Sequence, residues 1–258
     1  MWVTMFRYMV PRCTRLSTVR IKSKSSMLIL VSDWDKWTYP IAGISPSIKV
    51  MLMFRLMWVR IDPNAQLGAG FQVDTATLEI TAEVTVGYQP DELVIQDGLI
   101  YVANSGGYRK PNYDNTVSVI DIETMTQIRK IPVGINLHRI RADKYGKLWV
   151  SSRGDYEKIP SRLFVLEKDK RTNRMEVRDT LNVSCSEMDI CGYSLYLYSV
   201  EWSNISQENN VTYGIIDVRT GELISNSFIK DGTETDIEIP YGLKVNPETG
   251  DVYVTDAK

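Results

Sequence analysis

Leu99-Ile100-Tyr101-Val102-Ala103-Asn104 is the stretch on which the fold turns, because its shape returns three times further along the chain. It returns as Lys147-Leu148-Trp149-Val150-Ser151-Ser152, as Ser194-Leu195-Tyr196-Leu197-Tyr198-Ser199 and as Asp251-Val252-Tyr253-Val254-Thr255-Asp256. The central aromatics, Tyr101, Trp149, Tyr196 and Tyr253, stand 48, 47 and 57 residues apart. Each run follows a turn signal: Gln96-Asp97-Gly98, Lys144-Tyr145-Gly146, Cys191-Gly192-Tyr193 or Pro247-Glu248-Thr249-Gly250. Another short apolar segment precedes every turn, so the unit reads as strand, tight turn, strand. A variable loop and a second hairpin follow: Thr116–Asp121 with Thr126–Pro132, Arg162–Glu167 with Met175–Asn182, and Tyr213–Asp217 with Glu222–Phe228. Four short strands recurring at this interval are the signature of a β-propeller blade.

The alternation inside a strand agrees. In Thr116–Asp121, Val117 and Val119 share one face while Ser118 and Ile120 share the other, as a sheet packed between two neighbours requires. Working backward, Phe71–Asp74 and Leu78–Val86 supply the last two strands of a blade that ends at Gly87, and Trp2-Val3-Thr4 echoes Tyr253-Val254-Thr255. The expectation is an all-β propeller of four-stranded antiparallel blades, with breaks near residues 87, 134, 183 and 240 of a blade region spanning 61–258. About five blade periods are present. Both ends of the chain fall at the same strand of a blade, so the ring reads as incomplete and the chain as a fragment.

Composition sets residues 1–60 apart. They hold ten of the 30 Lys and Arg but two of the 32 Asp and Glu, seven of the 10 Met, four of the 6 Trp, and a single glycine, Gly43. Two readings stay open for residues 12–56: a diverged blade, or a corrupted reading frame. The chain as a whole carries a formal charge of −2, so no nucleic-acid partner is expected. The basic Arg12, Arg15, Arg20, Lys22 and Lys24 lack interleaved aromatics in any nucleic-acid motif. No transmembrane span is expected either, because Lys49, Arg55 and Arg60 interrupt the apolar stretch Ile48–Ile61. Cys13, Cys185 and Cys191 are odd in number and lack C-x-x-C spacing, which speaks against a zinc site or a disulfide framework.

From Val86 to Lys258 the chain resembles the YncE-like bacterial propellers, in particular exported propeller lipoproteins described as a domain of unknown function. The residues carrying the resemblance are Tyr101–Gly107, Pro111–Asp121, Val150–Gly154 and Pro240–Lys258. The resemblance implies an exported protein of the cell surface or periplasm, whose whole version has a signal peptide, a lipid-anchored cysteine and about seven blades.

Chemistry, if present, is expected on the loops joining the second and third strands of each blade. The loop Ser105–Asn115 brings Tyr108, Arg109, Tyr113, Asp114 and Asn115 beside Asn104; the equivalent loops Arg153–Lys158 and Glu201–Asn210 add Arg153, Tyr156 and Trp202. Aromatic and amide groups of this kind suit a carbohydrate, a peptide or another surface protein. Asn104, Asp114 and Asn115 also offer oxygens to Ca²⁺, but their spacing is too loose to define a ligand set, and neither metal nor cofactor is expected. The plainer reading is that Gly106-Gly107 and the Asn and Asp residues make turns.

His138, the one histidine, follows Gly134-Ile135-Asn136-Leu137 at a blade junction and is expected to be structural, which leaves no Ser-His-Asp constellation. Cys185 and Cys191 are expected to be buried small apolar groups instead of a reactive pair. A non-catalytic binding or scaffolding role is therefore expected. The alternative is a propeller hydrolase or lactonase with a metal held by Glu, Asn and Asp around a central channel. Inner strands presenting mainly Ala, Ser, Thr and Tyr argue against it.

Overall fold

The computed structural model describes residues 66–74, 80–203, 208–230, 232–233 and 236–257, together with the backbone of two further strands, at residues 4–5 and 50–54. Most of residues 12–56, where two readings stood open, therefore lies outside the described residues. In chain order the first strands are β1 (Thr4–Met5), β2 (Val50–Phe54), β3 (Ala69–Asp74) and β4 (Ile80–Thr85). Next come β5 (Pro90–Gln96), β6 (Leu99–Asn104), β7 (Thr116–Asp121), β8 (Thr126–Pro132), β9 (Leu137–Ala142), β10 (Leu148–Ser152), β11 (Arg162–Lys168) and β12 (Met175–Leu181). The last are β13 (Glu187–Cys191), β14 (Ser194–Ser203), β15 (Glu208–Asp217), β16 (Leu223–Ser225), β17 (Pro240–Val245) and β18 (Val252–Asp256). One 3-10 turn, Gly107–Arg109, interrupts this series. No helix among the described residues is long and apolar enough to cross a membrane.

The chain divides into two units, residues 13–137 and residues 1–12 with 138–258. In the first, β2-β3-β4 form one antiparallel sheet and β5-β6-β7-β8 another. In the second, β9 to β12 and β13 to β16 make two four-stranded antiparallel sheets, and β17-β18-β1 a third sheet of three strands. The fold is that of an all-β propeller with four-stranded antiparallel blades. The four-stranded sheets run in sequence order, and the tight turns between first and second strands carry the glycines their left-handed positions demand: Gly98 (φ 74°), Gly192 (φ 61°) and Gly250 (φ 77°).

The aromatic-centred strand of the repeat is the second in its sheet. β6 and β10 are buried along nearly their whole length, whereas the fourth strands β8 and β12 are mostly exposed. Both faces of β6 are therefore core. In the first unit Ile100, Val102, Ile120 and Ile122 pack on Val84 and Val86 of the preceding sheet. In the second unit Trp149, Leu163 and Val165 of one sheet meet Met188, Leu195, Leu197 and Ile216 of the next. Beyond β16 the chain crosses a sheet face and inserts Phe228, edge-on to Tyr196 at 5.8 Å and Tyr213 at 5.4 Å.

Three sequence expectations need correction. The segment Glu201–Asn210 is largely hairpin, not a loop: β14 and β15 are ten residues each, and their pairing runs on through Val200↔Val211, Glu201↔Asn210 and Trp202↔Asn209. The β-branched pair Val200 and Val211 extends the ladder past the point where the other blades open. Second, Thr4–Met5 does not occupy the position of Tyr253-Val254-Thr255 but pairs with it, Thr4↔Asp256 and Met5↔Thr255, as the third strand of that sheet. Third, the first strands β9, β13 and β17 are edge strands of their sheets, and they carry charges that the sequence reading did not single out: Arg139, Arg141, Glu187, Asp189 and Lys244. The Ala-, Ser- and Tyr-bearing strands are the covered second ones.

Candidate functional site

The loop after β6 is built on two buried polar residues. Asn104, fully buried, donates from Nδ2 to Thr116 Oγ1 at 3.1 Å and Ser118 Oγ at 3.0 Å, and its Oδ1 accepts the Gly87 N–H at 3.0 Å. Asp114 accepts the Tyr88 N–H on Oδ2 at 2.7 Å, and on Oδ1 the N–H and hydroxyl of Thr116 at 3.0 and 2.7 Å. Gly87 is required for this convergence, since a Cβ there would lie 2.3 Å from Asn104 Cγ. These amide and carboxylate oxygens are spent on holding the incoming chain. Asn104 Oδ1 and both Asp114 carboxylate oxygens thus accept hydrogen bonds from the chain, and among the described residues no group of three His, Cys, Asp or Glu is placed to hold a metal ion.

The same bonds fold the loop onto Tyr88 and Gln89. Ser105 N–H donates to Gln89 O at 3.0 Å, Gly106 N–H to Tyr88 O at 2.9 Å, and Tyr108 N–H to Gln89 Oε1 at 2.7 Å. Arg109 lies with its guanidinium carbon 3.7 Å from the Tyr88 ring centroid and donates to Asn112 O at 3.1 Å. Tyr108 is left 48% exposed and Asn115 exposed, with Tyr113 half-buried. Of the six loop residues singled out from sequence, two make the scaffold, Arg109 is stacked on it, and Tyr108 projects from it.

The loop after β10 repeats the plan with other residues. Ser152 Oγ accepts the Gly154 N–H at 3.1 Å, and Asp155 Oδ1 accepts the N–H groups of Glu157, Lys158 and Ile159 at 2.9, 2.7 and 2.7 Å. Gly154 takes φ 65°, and a Cβ there would sit 2.0 Å from Ile159 O. Tyr156 projects from this turn, 70% exposed. Arg153 does not project: its Nη2 donates to His138 Nε2 at 3.1 Å, which places the imidazole proton on Nδ1. Trp202 lies in the backbone ladder of β14, opposite Asn209.

The N–H groups of Ile159 and Glu157, in that order, hold the Asp155 carboxyl below the ordinary aspartate range. A carboxyl depressed in the folded chain stabilises it above the unfolded value near 3.9 and loses that contribution as pH falls through its folded value. The amide resonances of Glu157, Lys158 and Ile159 are therefore expected to move on acidification with a midpoint below about 3.9. A midpoint at or above that value, followed by NMR, would contradict the three-fold acceptor.

Sequence reasoning missed the charges between the first strands of successive sheets in the second unit. Arg139 Nε donates to Glu187 Oε2 at 2.8 Å, Arg141 Nε to Asp189 Oδ1 at 3.3 Å, and Lys244 Nζ lies 3.5 Å from Asp189 Oδ2, which also accepts the Val245 N–H at 2.9 Å. Both arginine–carboxylate pairs join residues 48 apart, close to one repeat interval. Opposite charges at equivalent repeat positions were the signal that could have revealed them. Glu187 and Asp189 are thus each paired with two cations. Cys185 is buried against Glu187 O at 3.5 Å, and burial pushes its thiol pKa up; Cys191 is half-buried near Asn246 and Pro247.

No family model and no curated protein matches the sequence. Solved structures do. Hydrazine synthase from Kuenenia stuttgartiensis superposes with a TM-score of 0.56 at 21% identity, covering 75% of this chain and 53% of that one. A structure of the Dos1 propeller aligns with a TM-score of 0.49 at 13% identity, covering 78% of this chain and 52% of that one. The chain spans about half the length of the structures it matches. At such identities the likeness is one of fold.

Proposed function

We propose that the chain is the blade body of a non-catalytic, YncE-like β-propeller, exported to the bacterial surface or periplasm, that binds a carbohydrate, a peptide or another surface protein on its second-to-third-strand loops. The observation that carries this reading is the pairing of fixed loop backbones with projecting tyrosines: Tyr108 and Tyr156 stand out from turns whose N–H groups are already satisfied. An aromatic on a rigid turn loses little conformational entropy when a ligand covers it, so its contact area converts into affinity. The same economy supports a non-catalytic role, since His138, Glu187 and Asp189 are each held by a cationic partner.

A panel of immobilised bacterial glycans and peptides tests the reading. Tyr108→Ala or Tyr156→Ala is expected to weaken any ligand captured by the corresponding loop about tenfold or more, with the melting temperature unchanged. Wild-type affinity in both variants would remove the loops from the binding surface. Fractionation of native cells tests the location separately, and recovery from the cytosol would overturn export.

A further inference from the structure

At the opposite end of the second unit's sheets, a different group of side chains gathers on the turns joining β9 to β10, β13 to β14 and β15 to β16. Tyr145 and Tyr193, 48 residues apart and on equivalent turns of successive blades, bring their rings to 6.3 Å at an angle of 38°, and each is about half exposed. Lys144 Nζ lies 3.1 Å from the Tyr193 ring centroid and 5.4 Å from that of Tyr145. Arg219 lies 4.5 Å over the Tyr193 ring and clamps Asp217, whose carboxyl its side chain holds down at about 2.

Among the described residues no carboxylate pairs with Lys144. A cation fixed over a π face is oriented without being neutralised, so its attraction for an anion persists. Lys144 and Arg219 stand exposed at the surface of the group, with the carboxylates of Asp217 and Asp143 buried beneath them. The turns beneath are closed: Asp143 Oδ1 accepts the N–H groups of Tyr145 and Lys147 at 2.8 and 3.0 Å, Val218 N–H donates to Tyr193 O at 2.9 Å, and Gly221 N–H to Asp217 O at 2.8 Å. These closed turns offer an extended peptide no backbone edge to pair with, whereas a half-exposed tyrosine ring offers the apolar face of a sugar a flat surface.

We propose that Lys144, Tyr145, Tyr193 and Arg219 form a binding site for an acidic saccharide, its carboxylate on the two cations and its ring against Tyr145. The site is separate from the loop that carries Tyr156. Calorimetric titration of the full chain with trigalacturonate, maltotriose, inorganic phosphate and tetraglutamate tests it. Trigalacturonate is expected to bind, with maltotriose weaker by about tenfold or more. Lys144→Met and Tyr145→Ala should each weaken trigalacturonate by about tenfold, while Tyr145→Phe, which keeps the ring, recovers most of the affinity lost in Tyr145→Ala. Melting temperatures of all variants are expected to match the parent. No trigalacturonate binding, or binding that survives Lys144→Met, would overturn the proposal. Phosphate binding as tightly as trigalacturonate with Tyr145→Ala silent would reduce the group to bare charge, and tetraglutamate binding more tightly would make it a peptide site; either result sinks the saccharide.

Discussion

Trp149→Ala is expected to lower stability by about 3–5 kcal/mol, the range for truncating a fully buried large aromatic. The indole is completely enclosed and packs with Leu163, Val165, Met188, Leu195 and Ile216 at the junction of two successive sheets. Removing it opens a cavity that two rigid sheets cannot collapse to fill. It also withdraws the Nε1–H that Asp143 Oδ2 accepts at 3.0 Å, and Asp143 organises the turn under Tyr145 and Lys147. Trp149→Phe separates the two effects, because it keeps most of the ring and loses the donor. It is expected to cost about 1–2 kcal/mol. Urea-unfolding midpoints read both; equal losses would place the whole effect in the hydrogen bond and none in packing.

Glu187→Ala is expected to cost about 2–4 kcal/mol, less than a fully buried pair because its two arginine partners keep some contact with water. The carboxylate is nearly buried and lies 2.7 Å from Arg139 and 3.7 Å from Arg141. Removing it leaves two cations facing each other on β9 with only Asp189 to offset them. Exchanging both members of the closer pair for apolar residues, Glu187→Leu with Arg139→Met, should recover much of the loss, since Arg141 keeps Asp189 as its partner. A double-mutant cycle on urea midpoints checks this, and a coupling energy near zero would show that the pair holds nothing between the blades.

These two residues mark the boundary between what could and could not be read from the chain. Trp149 was legible because the repeat puts an aromatic at the centre of an apolar run, and an apolar run of that length between turn signals is a strand covered on both faces. The predicted strands Thr116–Asp121 and Thr126–Pro132 appear with those bounds as β7 and β8. Glu187 was not legible. Its partners sit in Arg139-Ile140-Arg141-Ala142, which alternates charged and apolar residues like any half-buried strand, and such a strand ordinarily points its charges at water. Only the placement of β13 beside β9 turns those arginines toward carboxylates. The same holds for the loops: Gly106 and Asp114 read correctly as turn makers, but that Asp114 uses both oxygens on Tyr88 and Thr116 depends on where β5 begins.

What the sequence by itself determined is the local grammar: the strands, their tight turns, the aromatic centre of each repeat and its small polar last residue, buried in all four cases at Asn104, Ser152, Ser199 and Asp256. Hydrophobic period and turn chemistry act over a few residues, so they are written locally. The tertiary structure alone decided how the polar groups are spent. It turned Asn104 and Asp114 into scaffold, tied His138 to Arg153, drew Glu201–Asn210 into a hairpin, and set Lys144 over Tyr193. Each of these outcomes needs two segments brought together by packing, and the free energy of a hydrogen bond, an ion pair or a cation over a ring depends on a distance of a few ångströms that no single segment encodes.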